Sequence, residues 1–295
     1  MATDTNASPE PAVPARWPLV GLFLGSTMLA FGPLLVRMAD VGPVASAFWR
    51  MALPAPVLLV VALVLRSREP ERVAFGALPW GVAATAGAFF ASDLIAWHLG
   101  IVRTSMANAT LFANTTAFML AGWALLVRRE RPGKTTLQSL ALAGAGTMLL
   151  FGSSAQLGAE HLLGDLLSLC AAAFYTGYLL TIMRLRGRLS TATVLAMSTF
   201  ASVIVLLPVA LLAPGAFWPT DWRPVMALAI SSQLLGQGLM VFASGRLPAF
   251  VVGIGLLVQP LVSAAAGWAM FGEALGPAEL VGAGMIAAAL VLIRR

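Results

Sequence analysis

An arginine and an aspartate lie inside blocks that are otherwise apolar enough to cross a bilayer. Arg50 falls in block 43–65, and Asp93 in block 78–99 within the stretch AFFASDLIAWHLG. A charged group in hydrocarbon costs a few kcal/mol or more unless it is paired or hydrated, so both residues must face something polar. Arg50 lies about eight residues into its block, roughly 12 Å deep at the helical rise. Asp93 lies about fifteen residues into its own from the opposite face, roughly 8 Å below the same surface in a core of about 30 Å. Opposite charges at similar depth predict either a structural ion pair or a shared wet cavity in which the two bind or gate.

Other polar and aromatic residues recur at helical spacing. Phe90 and Trp97 flank Asp93 at i−3 and i+4, on one face. A carboxylate–aromatic stripe suits a ligand with an ammonium group and an apolar side chain, although such aromatics also serve as packing or as an interfacial belt. His98 is roughly 140° round the helix from Asp93. It is either a headgroup anchor or a cavity and proton-linked residue. The fourth block carries Thr104, Asn108, Phe112 and Thr115, with Thr110 and Asn114 on a neighbouring face. Two asparagines in one span either join helices or line a cavity. The sixth block carries Asp165, Ser168, Tyr175 and Tyr178 on a similar face, with Asp165 close to the outer end, where it either belongs to that face or is simply solvated. The eighth carries the line Gln233, Gln237, Met240 and Ser244. Four blocks with a polar or aromatic stripe are what a shared aqueous cavity needs. The candidate lining is therefore Trp97, Asp93, His98, Asn108, Phe112, Thr115, Tyr175, Tyr178, Gln233, Gln237 and Met240, with Arg50 and Asp93 as charge pair or gate.

The elements that must position these residues are membrane helices. The 295-residue chain is 59% hydrophobic and 10% charged, against about 25% charged for a soluble domain. Ten apolar blocks can be read, at about 18–37, 43–65, 78–99, 104–127, 135–152, 162–183, 191–213, 223–243, 248–271 and 277–293. Connections are short, such as RSREPER and RRERPGK, and leave no room for a soluble domain. Residues 1–17 form a polar, disordered N-terminus without the basic cluster of a signal peptide. Fourteen Lys and Arg residues gather on one side of the ten spans, three (Arg37, Arg103, Arg223) lie on the other, and Arg50 is within a span. That asymmetry predicts both termini in the cytoplasm. It is a topology signal, and no nucleic-acid partner is expected.

The chain also repeats itself. RTSMANATLFANTTAFMLAGWALLVRRE (103–130) and RLPAFVVGIGLLVQPLVSAAAGWAMFGE (246–273) each begin with Arg, end with Glu 27 residues later and contain AGWA. Each is followed by a Gly/Ala-rich span. Two halves, 18–152 and 162–293, of five helices each must enter the membrane in opposite senses, because five is odd. Inverted repeats are an architecture of secondary transporters, with the substrate near the midplane between the halves.

These two stretches resemble the EamA-type repeats of the drug/metabolite transporter superfamily, and the whole chain looks like a bacterial YddG-type amino-acid exporter. The resemblance covers about 18–293. It implies export of aromatic and other amino acids from the cytoplasm across the inner membrane, through a central cavity lined by both halves. The family's fourth span often carries a proline where its ninth does. Here Pro260 is present in the ninth, and the region of Ala117 has none.

Pro33, Pro54, Pro56, Pro208 and Pro260 fall within spans, where each frees a backbone carbonyl. Pro33, Pro54, Pro208 and Pro260 are hinge candidates for alternating access. GAG at 144–146 and 282–284 predicts close helix packing in the fifth and tenth spans, which have few polar residues and suit the periphery, against a second subunit of a homodimer. Catalytic patterns are missing: no HExxH, no Gly-x-Ser-x-Gly, no nucleotide-binding loop and no Cys/His cluster. The expected protein is all-α, binds no metal or cofactor, is not an enzyme, and moves small zwitterionic or neutral solutes as a carrier. A passive channel or an intramembrane enzyme is the alternative.

Overall fold

The structure, a computed structural model, describes residues 16–67, 75–104, 106–152, 158, 159, 161–271 and 276–292. The terminus expected to be disordered lies outside these residues up to position 15, as do Arg68, Arg72, Glu273, Arg294 and Arg295.

Every regular element among the described residues is helical. Seven stretches are long and apolar enough to cross a membrane: Arg16–Met38, Pro43–Arg66, Trp80–Ile101, Asn108–Leu126, Leu162–Arg186, Thr191–Leu212 and Trp222–Ser244. Shorter apolar stretches, Ala249–Ala265 and Pro277–Leu292, fall on the ninth and tenth blocks. A helix at Lys134–Gly152 falls on the fifth. Helix α4 (Ala55–Ser67) exposes Val57, Leu59, Val60, Val61, Leu63, Val64 and Leu65. A face that apolar suits hydrocarbon, where only helices and closed barrels satisfy their own backbones.

Several of the ten apolar blocks read from the sequence fold as broken helices. The first is α1 (Arg16–Ala30) and α2 (Gly32–Met38), parted at Phe31, with Pro33 in the first turn of α2. The second is α3 (Pro43–Ala52) and α4, parted at Leu53 and Pro54. Proline is accommodated at such positions because a helix's first N–H groups lack intrahelical partners anyway. The third span, α5 (Trp80–Ile101), is continuous. The fourth is α6 (Met106–Ala113) and α7 (Thr115–Leu126), followed by α8 (Lys134–Gly152), α9 (Leu162–Arg186) and α10 (Thr191–Leu212). Pro208 is a correction among the hinge candidates. It sits inside α10, which runs on without a break, since one missing N–H leaves the rest of the ladder intact. The eighth span is α11 (Trp222–Leu228), a π-helix (Ala229–Gln237) and α12 (Gly238–Ser244). The ninth is α13 (Ala249–Leu256) and α14 (Val258–Phe271), and the tenth is α15 (Pro277–Leu292).

The breaks in the fourth and ninth spans match. Asn114 and Leu257 each lie 11 residues after the arginine that opens its repeat stretch. Their backbones agree, at φ −71°, ψ −9° and φ −71°, ψ 2°. Pro260 stands in the first turn after the second break. At the first, side chains take up carbonyls instead: Asn114 Nδ2 donates to Thr110 O at 2.7 Å and Thr115 Oγ1 to Phe112 O at 2.6 Å. The missing proline therefore does not remove the break.

Small residues bring the helices together. A Cβ on Gly100 of α5 would lie 2.7 Å from Ser168 Oγ of α9, and one on Gly87 would lie 2.3 Å from Ala201 Cβ of α10. A Cβ on Gly253 of α13 would lie 2.9 Å from Ala117 O of α7. The predicted close packing of the GAG segments is met within one chain, where Gly146 of α8 and Gly282 of α15 face each other.

At the end of the molecule carrying Arg37, Arg103 and Arg223, the α2–α3 connection is tied to the α10–α11 connection. Asp40 Oδ2 accepts from the N–H groups of Thr220 (2.9 Å) and Asp221 (3.0 Å), and Gly42 N–H donates to Ala216 O at 2.8 Å. Gly215 holds the positive φ of 107° that lets the two backbones meet. Trp49, from α3, packs against Phe217, Trp218 and Trp222 with ring centroids 5.0–5.4 Å apart.

The Asp221 N–H first, with the Thr220 N–H beside it, holds the Asp40 carboxyl below its ordinary 3.8. A depressed value means that the anion is favoured by folding, so this contribution is complete above pH 3.8 and fades as pH falls through the folded value. Asp40→Asn should lower the melting temperature slightly at pH 7, and the gap to wild type should narrow as pH falls below 3.8. A gap independent of pH would remove the carboxylate from the account.

Candidate functional site

A hollow of about 70 Å³ lies among α1, α3, α5, α6, α7, α9, the π-helix, α13 and α14. A single water needs only about 10–15 Å³, so the space holds several waters or a small solute. Arg50 and Asp93 both line it. Among the described residues they form no ion pair within 4.0 Å, and Asp93 accepts no hydrogen bond. Of the two expected arrangements, the structure has the shared cavity and not the closed pair. The Arg50 guanidinium rests over the rings of Phe90 (5.9 Å) and Trp97 (6.0 Å), and its Nε is buried without a partner. Cation–π contact holds the group and leaves its N–H fork unengaged.

Trp97, Tyr175 and Gln237 also line the hollow. Tyr175 Oη donates to Gln237 Oε1 at 3.0 Å, joining α9 to the π-helix. Gln237 Nε2 is buried without a partner.

The structure places the remaining candidates elsewhere. His98 is fully buried against α3, its Nδ1 2.8 Å from Ser46 Oγ and 3.0 Å from Pro43 O. It is neither a headgroup anchor nor a cavity residue, because the far side of α5 packs on α3. Asn108 donates to Asp165 at 2.9 and 3.1 Å, and Thr104 donates to the same carboxylate at 2.6 Å. Asn108 thus joins α6 to α9, and of the two alternatives for Asp165 the solvated one does not hold, because the residue is buried. Tyr178 is fully buried, stacked on Phe90 at 4.4 Å. Gln233 turns to α10, donating to Thr199 Oγ1 at 2.9 Å, and Met240 packs in the core. Phe112 and Thr115 lie off the lining, at the α6–α7 break. Asn108→Ala should cost about 2 kcal/mol by stripping a buried carboxylate of two bonds. A melting temperature equal to wild type would show that water replaces the amide.

The lining includes residues that the stripes did not predict: Leu29, Leu94, Ala113, Thr116, Ala172, Leu256 and Gln259. Arg103 and Arg246 are 143 residues apart, and so are Glu130 and Glu273. The same interval separates Leu29 from Ala172, Leu94 from Gln237, Ala113 from Leu256 and Thr116 from Gln259. Eight of the fourteen lining residues are therefore repeat-equivalent pairs. The charged and aromatic ones (Arg50, Phe90, Asp93, Trp97, Tyr175) have no counterpart on the wall. Small and polar pairs build the hollow, and the chemistry lies in its asymmetric part.

Among known proteins, the EamA-like transporter family matches residues 16–152 and again 162–295. Threonine/homoserine exporter RhtA of Escherichia coli (strain K12) is 30% identical over 166 residues, 56% of this chain and 55% of that protein. RhtA of Escherichia coli O157:H7 matches to the same extent. The match thus spans about half the length of these curated relatives. A solved crystal structure superposes with a TM-score of 0.74 over 95% of this chain and 96% of that one, at 17% identity. That likeness concerns the fold alone.

Proposed function

Because the chain belongs to the EamA-like transporter family, a membrane transporter family and not an enzyme family, we propose that it exports small zwitterionic metabolites, amino acids foremost, by alternating access. In this reading ten helices form two inverted five-helix halves, 18–152 and 162–293, with both termini cytoplasmic in a bacterial inner membrane. The fourteen-to-three distribution of basic residues supports the orientation. The repeat-equivalent wall pairs and the matched breaks support the halves. A solute at the interface of two such halves is reached from one side at a time as they rock. Pro33, Pro54, Pro260 and Asn114, at the breaks, are the points where they bend.

The observation that carries the substrate class is the pair of opposite charges facing one hollow, neither satisfied by the other. An α-amino acid presents the complement: its ammonium to Asp93 and its carboxylate to the Arg50 fork, with side chain against Phe90, Trp97 and Tyr175. Those rings support aromatic substrates. The half-length similarity to a threonine/homoserine exporter and the small hollow, well below the several hundred Å³ of drug-sized pockets, support small hydroxylated ones. Asp93 is the group through which proton coupling would run. His98 is not, because its ring is packed away from the hollow.

Liposomes holding the purified protein test this with labelled threonine, homoserine and phenylalanine, with and without a pH gradient. Saturable flux with counter-flow of label is expected. Flux without saturation or counter-flow would make it a channel. No flux of any of the three would end the amino-acid reading.

A further inference from the structure

A second hollow, of about 20 Å³, adjoins the first, and Trp97, Ala113, Asn114 and Gln259 line both. Its other walls are Ala30, Pro33, Ala109, Thr110 and Ser263, from α1, α2, α6 and α14. Trp97 is the largest side chain common to the two. Its edge is fixed from behind: a Cβ on Gly32 would come within 3.0 Å of Trp97 Cη2. Gly32 is the first residue of α2, next to the break in the first span. The indole therefore stands as a partition, held by a glycine that leaves it just enough room.

On the reading above, the ammonium and carboxylate of the solute engage Asp93 and Arg50 in the larger hollow. We propose that Trp97, seated on Gly32, is the residue that limits how large a side chain this site accepts, by closing off the smaller hollow. Selection by size rests on differences in fit, and even one methylene in an apolar pocket is worth roughly 10-fold or more. Removing the partition opens the second hollow to a larger side chain. Crowding the indole from behind pushes it by a few tenths of an ångström into the space where that side chain lies.

The test measures counter-flow of labelled threonine and of labelled phenylalanine in liposomes, as a ratio for each variant. Trp97→Ala should raise the phenylalanine-to-threonine ratio by roughly 10-fold. Gly32→Ala should lower it, and Trp97→Phe should fall between wild type and Trp97→Ala. Because the ratio is internal to each preparation, loss of folded protein does not shift it. If Trp97→Ala does not fold, the opposite shifts in Gly32→Ala and Trp97→Phe still decide. Wild-type flux with an unchanged ratio in the variants overturns the size limit alone. No flux of either amino acid by wild type overturns the amino-acid reading and this proposal with it.

Discussion

Asp93→Ala and Arg50→Ala are each expected to lower the kcat/KM of amino-acid counter-flow by about 100-fold, while the folded protein survives. The size of the effect follows from what each charge faces. Among the described residues neither meets an ion partner within 4.0 Å in the hollow, so each is available to a solute. Losing one partner of a desolvated charge contact costs about 2–5 kcal/mol, and about 2.7 kcal/mol is 100-fold. The survival of the fold follows from the same geometry. Removing either buried charge relieves its desolvation and forfeits only its attraction to the other charge across the hollow and, for Arg50, the contacts with Phe90 and Trp97, so the melting temperature should change little. Arg50→Lys should recover only part of the activity, because an ammonium keeps the charge and loses the two-pronged fork. In the double variant the losses should be less than additive, since either lesion already spoils the same bound zwitterion. Flux and melting curves on one set of preparations check both halves of the claim. Normal flux by both stable single variants would remove these residues from the transport step. A sharp fall in stability would make them a structural pair.

Why were Arg50 and Asp93 legible in the sequence and His98 and Asn108 not? A charge in hydrocarbon is costly wherever it points, so its presence alone demands a wet cavity or a partner. A neutral imidazole or amide is content with any donor or acceptor. Helical spacing gives the face but not the neighbour that uses it. Asn108 keeps its period with Thr104, and both meet Asp165, a residue 57 positions away from Asn108. The eighth span misleads for a different reason. Its residues 229–237 are π-helical, with i→i+5 bonding in place of i→i+4; Gln233 and Gln237 stay about one turn apart on a similar side, but the wider winding re-aims both, so they reach different neighbours. Gln233 ends on α10 and Gln237 in the hollow. Nothing in AISSQLLGQ announces that change of winding. Thr116 and Gln259, by contrast, were within reach. The register between the two Arg-to-Glu stretches pairs them, and Gln259 interrupts an apolar block just before Pro260. Applying the repeat to individual residues, and not only to segment boundaries, would have found both.

The second large effect concerns the packing of α8 on α15. Gly282→Val is expected to lower the melting temperature by about 6–10 °C, and Gly146→Val by a similar amount. A Cβ on Gly282 would lie 2.6 Å from Gly146 O and 2.6 Å from Leu150 N, and one on Gly146 would lie 2.7 Å from Gly282 O. These contacts are with backbone, which cannot swing aside as a side chain does. Overpacking costs about 1–3 kcal/mol where neighbours can yield, and this site belongs at the upper end. At about 2–4 °C per kcal/mol for a chain of this order, the expected shift follows. Gly284 supplies the internal comparison, because a Cβ there would meet nothing within 4 Å. Gly284→Val should leave the melting temperature of the monomer unchanged. The same variants address the proposed homodimer through the fifth and tenth helices. Gly146 and Gly282 already engage each other inside one chain, so a second copy must use an outward face such as the one carrying Gly284. Gly284→Val should then shift the oligomeric mass in detergent toward the monomer while Gly282→Val shifts only stability. Equal melting shifts at positions 282 and 284 would contradict the packing described for α8 and α15. An unchanged mass in Gly284→Val would remove this face from any dimer.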